Sequence, residues 1–361
     1  YHMYLKNLTL TQYKNINSKT FEFNPKINCF IGNNGIGKSN ILDAIYHLAF
    51  GKSYFNPIAT QNIKIGTEFF VIDGIYERDG REEKIVCFLK KGYKKVMKRN
   101  GKIYDKLSDH IGLIPTVIIS PADQDLISEG SNTRRKFMDG IIAQTDSLFL
   151  QNLLEYNKIL TQRNALLKFF ALNNTFDSET LKVYNKQLTD RSHPIFEKRK
   201  NFMESYIPVF NQRYQKISEG NEKICLNYES DLHKSKHNIL LKDSIEKDKI
   251  LRHTSTGIHK DDISFLLDEK SIKRFGSQGQ QKTLLVALKL AQFDFLKKRI
   301  GGSPILLLDD AFDKLDQKRV TQIVSLVDQK DFGQIFITDT HEERTIQALN
   351  EIKSTYEIFK L

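Results

Sequence analysis

Eight consecutive residues carry the most chemistry in this chain. Gly32-Asn33-Asn34-Gly35-Ile36-Gly37-Lys38-Ser39 fits G-x-x-x-x-G-K-[ST] without a gap. Glycines let successive backbone N–H groups turn inward on an anion. A helix starting at the end of the motif offers its positive N-terminus to the same anion. Lys38 would then reach the β- and γ-phosphates of a nucleoside triphosphate, and the Ser39 hydroxyl would ligate Mg²⁺. The cradle is taken to run from Gly32 to Asn40, with ATP as ligand and Mg²⁺ as its metal. Lys38 is expected on a surface loop with no role in the core.

An apolar run ending in two carboxylates supplies the partner such a loop needs. Ile305-Leu306-Leu307-Leu308 is followed by Asp309-Asp310. A carboxylate just past a buried strand can orient Mg²⁺ and its waters, which assigns Asp309 to the metal beside Ser39. A second carboxylate can polarise an attacking water as general base, which assigns Asp310 to catalysis beside Lys38.

Strands and helices must hold these residues, and the sequence offers them as two α/β stretches that bracket a helical one. Tyr4–Leu10 alternates, and Thr20–Phe23 can pair with it. Ile27–Ile31 reads as a buried strand running into the glycine motif, and Ile41, Leu42, Ile45, Leu48 and Ala49 recur on one helical face behind it. Further strands are expected over Phe69–Tyr76, Lys84–Leu89, Val96–Lys98, Lys102–Tyr104 and Thr116–Ser120. Helical spacing runs from about Asn132 to Phe170 and from Glu179 to about Ser218, with a break over Asn173–Asp177 and with Pro194 and Pro208 as kinks or boundaries. Strands return over Cys225–Tyr228, Asp262–Leu267, Ile305–Leu308 and Gln334–Thr338, with an amphipathic helix over Gln281–Arg299 and a shorter one over Val320–Val327. The expected fold is α/β: an ATPase head built from residues 3–125 and 219–361, with a mainly helical lobe inserted over 126–218.

Composition narrows the class. The chain has 361 residues, 40% of them apolar, enough for a sizeable core in two domains or in one with an insertion. With 19 Gly and 7 Pro, collagen-like and low-complexity classes are excluded. There is no apolar run of about eighteen residues, so no transmembrane helix is expected. The first thirty residues lack the apolar stretch of a secretory signal, which points to the cytoplasm. Tyr1 and His2 precede Met3 and are expected to take no part in the fold. Cys29, Cys87 and Cys225 are far apart and odd in number, which argues for free thiols in a reducing compartment and against a disulfide scaffold or zinc site. The formal charge of +11 suits a polyanionic partner.

The stretch Phe275-Gly276-Ser277-Gln278-Gly279-Gln280-Gln281-Lys282-Thr283 opens the helix that precedes the Asp309 strand. It resembles the signature loop of ABC-type and SMC-type ATPases, with Ser277, Gly279 and Gln280 at its Ser-Gly-Gly-Gln-like positions. Ala311-Phe312-Asp313-Lys314-Leu315-Asp316 is similar to the loop that crosses the dimer interface in that class. Further matching stretches are Leu5-Lys6-Asn7-Leu8, Tyr13-Lys14-Asn15-Ile16, Ser120-Pro121-Ala122-Asp123, Arg134-Arg135-Lys136-Phe137-Met138-Asp139 and Gly257-Ile258-His259-Lys260-Asp261-Asp262. Together they resemble the RecF family of bacterial recombination and repair proteins over essentially the whole chain.

That resemblance implies an ABC-type P-loop head. It implies an ATP-dependent homodimer in which Ser277, Gly279 and Gln280 face the γ-phosphate held by the other subunit. It also implies weak, DNA-stimulated ATP hydrolysis and sequence-tolerant binding of duplex DNA and of single-strand/double-strand junctions. With RecR and RecO, such a protein helps to place RecA on single-stranded gaps. A glutamine loop is implied after the Thr116–Ser120 strand, where Gln124 and Asp123 compete, and a switch histidine after the last strand, where His341 stands. ABC-type ATPases usually end the acidic strand in Asp-Glu, whereas here the second carboxylate is the shorter Asp310.

Lys90, Lys91, Lys94, Lys95, Lys98 and Arg99 crowd one expected hairpin, followed by Lys102 and interleaved with Tyr93 and Tyr104. Such a patch would neutralise phosphates and release counterions, although a charged edge that blunts strand pairing has the same composition. Arg134-Arg135-Lys136 and Lys198-Arg199-Lys200 are lesser candidates. No helix-turn-helix, zinc-finger or aromatic RNA-binding signature is present, so DNA would be read by backbone and shape. A nuclease of the same head class would need a further acidic metal site, and a transporter subunit would not carry the helical insertion. An ATP-switched clamp with negligible turnover shares every motif and stands beside the hydrolysing reading.

Overall fold

The computed structural model describes residues 3–218, 222–310, 332–351 and 353–361. The Val320–Val327 helix and the Ala311–Asp316 loop of the sequence reading lie outside the described residues.

The chain opens with a long antiparallel hairpin, β1 (Met3–Tyr13) and β2 (Ile16–Glu22), in register from Asn7 opposite Glu22 to Tyr13 opposite Ile16. The wholly buried β3 (Ile27–Ile31) feeds α1 (Lys38–Phe50). Next come β4 (Phe69–Arg78), β5 (Arg81–Lys90), β6 (Val96–Arg99) and β7 (Lys102–Ile103). They extend the hairpin into an antiparallel sheet of order β2-β1-β4-β5-β6-β7. Alternation sets its buried face: in β4, Phe70, Ile72, Gly74 and Tyr76 are buried and their neighbours are not. β8 (Thr116–Ile119) is buried throughout.

The chain then builds α2 (Asp125–Ser128), α3 (Ser131–Ala143), α4 (Ser147–Asn173) and α5 (Ser178–Ile217). Side-chain caps fix where two of these start. Asp146 accepts from Phe149 N at 2.9 Å, and Asp177 accepts from Glu179 N at 2.9 Å and Thr180 N at 3.2 Å. The first cap splits the single helix expected over 132–170. Pro194 and Pro208 end nothing: α5 runs through both. Its long buried stripe, including Ile195, Phe202, Tyr206 and Phe210, holds the helix together across the lost backbone bonds.

A small antiparallel sheet of order β11-β10-β9 follows, from β9 (Ile224–Glu229), β10 (Asp262–Leu267) and β11 (Lys270–Ser271). The helices α6 (His237–Asp243) and α7 (Ile245–Leu251) lie between β9 and β10 in sequence, and α8 (Ile272–Phe275) comes next. In α9 (Gln278–Ile300) every residue from Leu284 to Phe293 except Val286 is buried. It is therefore a helix buried all round, not the amphipathic one expected.

β12 (Ile305–Leu308) and β13 (Ile335–Asp339) join β3 and β8 in an all-parallel sheet. A last helix (Glu342–Asn350) leads to β14 (Tyr356–Lys360), a strand absent from the sequence reading, giving the order β14-β3-β13-β12-β8. Ile41, Leu42, Ile45 and Leu48 of α1 share one core with Leu5, Leu8 and Ile72 of the antiparallel sheet and with Phe30, Leu307 and Phe336 of the parallel one. No helix among the described residues is long and apolar enough to cross a membrane.

The chain divides into two compact units, residues 1–123 with 292–361, and residues 124–291. The helical lobe was expected to end at residue 218, but residues 222–291 group with the helices. Long-range ion pairs explain this. Buried Arg199 of α5 meets Asp139 and Asp261, each at 2.8 Å, and Arg134 of α3 meets Asp262 at 2.7 Å.

Candidate functional site

β3, β13, β12 and β8 are successive neighbours in the parallel sheet, so their C-terminal ends form a row, the edge at which such sheets bind ligands. The glycine motif follows β3, Thr338 and Asp339 end β13, Asp309 follows β12 and Ser120 follows β8.

Gly37 caps α1 with φ of 112°, in the left-handed region open to glycine, and a Cβ there would stand 2.9 Å from Asn15 Oδ1. Lys38 is not the surface residue expected. It is 4% exposed, and its ammonium donates to Gly32 O at 2.7 Å and Asn33 O at 2.8 Å. Because α1 begins at Lys38 itself, the loop closes over its side chain. Asn33, Asn34, Gly35 and Ile36 remain exposed. Asn40 was assigned to the nucleotide, but its side chain donates to Asn15 Oδ1 at 2.7 Å. Asn15 in turn donates to Ile36 O at 3.3 Å. The β1–β2 turn thus braces the loop from one side.

Ser39 Oγ donates to Asp309 Oδ1 at 2.7 Å, and Thr338 Oγ1 donates to the same oxygen at 2.9 Å. Ser120 Oγ reaches Asp309 Oδ2 at 3.5 Å. Burial pushes the Asp309 carboxyl up from its ordinary value, and the Ser39, Thr338 and Ser120 hydroxyls pull it back down. Thr338 Oγ1 also accepts from Asp310 N at 2.9 Å, and Asp310 takes a positive φ of 45°. One threonine therefore fixes both carboxylate residues, and Asp310 holds a backbone conformation that few side chains adopt.

A hydroxyl and a carboxylate in contact are the hard oxygen ligands that Mg²⁺ prefers, so Ser39 and Asp309 fit the metal assigned to them. No group of three or more His, Cys, Asp or Glu side chains among the described residues could hold a metal. Phosphate oxygens and water would supply the other ligands.

Behind the loop, α1 carries a buried polar network. Asp43 takes the Lys14 ammonium, Tyr13 OH at 3.1 Å, Ser53 Oγ at 2.5 Å and Tyr54 N at 2.7 Å. Tyr54 OH reaches Asp123, whose other oxygen accepts from Ser120 N at 2.9 Å. Asp123 thus holds the turn after β8. Its rival Gln124 is exposed and donates to Gln281 at 2.7 Å.

Ser277 and Gln280 cap α9 reciprocally. Ser277 Oγ accepts from Gln280 N at 3.2 Å, and Gln280 Oε1 accepts from Ser277 N at 2.7 Å. Ser277 and Gly279 are exposed, and a Cβ on Gly279 would meet nothing nearer than Ser277 Oγ at 3.9 Å. His341 is exposed and precedes the last helix.

The basic hairpin is thinner than its sequence. Arg99 is held by Glu83 through two bonds of 2.7 and 2.8 Å, and Lys95 lies close enough to His47 and Cys87 to act on both buried groups. Cross-strand pairing, which composition does not reveal, engages Arg99 with Glu83, and both Arg99 and Lys95 are half-buried. Lys90, which lies over the Tyr93 ring, Lys91 and Lys94 are exposed, and Lys98 is half-buried. Arg134, Arg135 and Arg199 are likewise spent on Asp262, Asp261 and Asp139.

Sequence reasoning missed Thr338, Asn15 and Asp43. The signal for Thr338 was its place at the end of a buried run, and that for Asn15 was the Tyr13–Ile16 stretch, read only as a resemblance.

The family model for an AAA ATPase domain matches residues 3–359. The chain is 60% identical over 359 residues to the DNA replication and repair protein RecF of Flavobacterium johnsoniae, covering 99% of this chain and 100% of that protein. It is 50% identical to RecF of Phocaeicola vulgatus, covering 99% and 96%. Among solved structures, the recombination mediator protein RecF-ATP of the RecFOR pathway superposes with a TM-score of 0.89 at 31% identity, covering 100% of this chain and 96% of that one. An Smc head domain from Pyrococcus furiosus shares the fold, with a TM-score of 0.54 at 16% identity.

Proposed function

Because the chain belongs to the RecF family of DNA replication and repair proteins, we propose that it serves recombinational gap repair as an ATP-operated DNA clamp that turns over slowly. It is a DNA-repair ATPase. The observation that carries the mechanism is the Ser39–Asp309 contact, which joins the phosphate loop to the acidic strand end at 2.7 Å.

Lys38 turns its ammonium from the Gly32 and Asn33 carbonyls to the β- and γ-phosphates, while the loop amides and the α1 N-terminus hold the rest of the phosphate chain. Ser39 and Asp309 hold Mg²⁺, which when bound neutralises phosphate charge. Asp310, fixed through Thr338, takes the proton of the attacking water. His341 assists from the end of β13, and Gln124 is the loop glutamine that senses the site. Ser277, Gly279 and Gln280 of a second subunit complete the γ-phosphate site, so that ATP binding drives dimerisation. The exposed lysines of the β5–β6 hairpin hold DNA phosphates without reading sequence, at duplexes and at single-strand/double-strand junctions. RecR and RecO are the expected partners, and RecA loading on gaps the outcome.

Phosphate release with and without duplex DNA tests this reading. Slow release that DNA raises, cut by roughly 10²- to 10⁴-fold in Asp310→Asn with ATP binding retained, is the expected result. No release from the wild-type protein, with ATP-dependent DNA binding intact, would favour the clamp without turnover. Unchanged turnover in Asp310→Asn would move the base elsewhere.

A further inference from the structure

We propose that the second compact unit carries a docking groove for an acidic segment of a partner protein, one that presents large apolar side chains beside carboxylates. The groove is an open depression of about 610 Å³ between the first turns of α5 and the α6–α7 pair. That volume lies in the range of sites that enclose a ligand. Its floor is apolar: Leu181 and Leu241 are buried, Ile245 lies beside them, and Phe176 stands 45% exposed at one end.

The rim is basic. Lys182 and Lys186 come from α5, Lys242 from α6 and Lys249 from α7, against two carboxylates, Asp190 and Glu246. Lys182 is engaged by Glu179 at 2.6 Å, and Lys249 by Glu246 at 2.8 Å, with its ammonium 4.0 Å from the Phe176 ring centroid. Lys186 and Lys242 are exposed and have no carboxylate partner among the described residues. Exposed apolar residues flank the groove in sequence: Leu172 is 75% exposed and Ile250 81%. Apolar surface gathered in this way marks an interaction site rather than ordinary exterior.

An apolar pocket ringed by charge suits an anchor side chain with complementary charges around it. Two unpaired ammonium groups select carboxylates. The aliphatic floor offers bases one aromatic ring instead of the stacking series that single strands use, so nucleic acid fits it poorly. A second copy fits no better, because its formal charge of +11 would bring like charges to the rim. Nothing here depends on the phosphate loop.

A library of short random peptides displayed on phage, selected on the full-length protein, tests the groove. The expected winners combine Asp or Glu with Leu or Phe. As labelled synthetic peptides they bind in fluorescence anisotropy and weaken by at least about tenfold when Lys186→Glu and Lys242→Glu are combined. Those lysines are exposed, so the melting temperature and ATP binding stay at wild-type values. Phe176→Ser, which removes the apolar end without changing charge, weakens the same peptides. The proposal is overturned if no peptide is enriched, if the winners are basic, or if both variants bind as well as wild type. It is equally overturned if the groove lysines govern binding of an oligo-dT strand, or self-association in sedimentation, in place of peptide binding.

Discussion

Ser39 and Asp309, 270 residues apart in the chain, share a hydrogen bond of 2.7 Å. The bond exists because β3 and β12 flank β13 in the parallel sheet, which brings the phosphate loop and the acidic strand end to one edge. Thr338, at the end of that intervening strand, supplies the second donor to Asp309 and the acceptor for Asp310 N.

Thr338→Val keeps the shape of the side chain and removes both bonds. Asp309 Oδ1 keeps the Ser39 donor, so the loss is one hydrogen bond at Asp309 and one at Asp310 N, about 0.5–1.5 kcal/mol for each. Asp310 also loses the anchor of its positive φ. Turnover should fall by more than about tenfold, because a displaced base loses its geometry, while nucleotide affinity changes little. Steady-state phosphate release beside equilibrium nucleotide binding checks this, and wild-type turnover would show that Thr338 does not position Asp310.

The phosphate loop, Asp309 and the parallel strands were legible because each is local: a motif, or an apolar run of fixed length. What was not legible depends on how side chains meet once the chain folds, which local rules do not show. That Arg99 is engaged by Glu83 becomes visible only once β5 and β6 are paired, since Glu83 lies on the neighbouring strand. The boundary after α5 moved because Arg199 reaches Asp139 and Asp261. Pro194 and Pro208 read as kinks or boundaries because local rules weigh a lost backbone bond and not the buried stripe that offsets it. Lys38 was read as a surface residue because a motif gives identity and spacing without showing that the loop folds over its side chain.

DNA binding should be salt-dependent through the exposed lysines alone. If Lys90, Lys91 and Lys94 each meet one phosphate, replacing all three with Glu should reduce the slope of log K against log salt by about 3. Arg99→Gln breaks the Glu83 pair, so it should lower the melting temperature and leave that slope unchanged. Fluorescence anisotropy over a salt series decides, and an unaltered slope in the triple variant would leave the hairpin as a solvated edge.

Four buried histidines, His47, His110, His237 and His259, should make stability fall on acidification, because burial holds each below its ordinary value. Burial lowers His47 to about 3 and His237 and His259 to about 4, against an ordinary 6.5. The folded protein therefore binds fewer protons than the unfolded chain once pH drops below about 6.5. Their contribution is complete above that value and is lost as pH falls toward 4, at up to about 1.4 kcal/mol per pH unit for each histidine. Urea unfolding at a series of pH values between neutral and mildly acidic should show this slope, and His47→Gln should flatten it in part, leaving the share of His110, His237 and His259. Stability that stays level or rises on acidification in this window would contradict the assignment.

The central claim is that each ATP site is built from two subunits, the phosphate loop of one and the Ser277 helix terminus of the other. Ser277→Arg tests it most directly when mixed with Lys38→Ala. Ser277→Arg leaves Lys38, Ser39 and Asp309 untouched, so ATP binding to single subunits should stay near normal. Losing the reciprocal cap with Gln280 costs about 1 kcal/mol, too little to unfold the chain. Its bulk should block the exposed α9 terminus and abolish ATP-driven dimerisation. Lys38→Ala should fail through the other half of the site. Mixed together, the two variants pair one intact phosphate loop with one intact signature loop, and one composite site of the two returns. Sedimentation with ATP, alongside phosphate release from the mixture, is predicted to show dimers and activity that neither variant has alone. Dimerisation of Ser277→Arg by itself, or a mixture inactive at every ratio, would contradict the composite site.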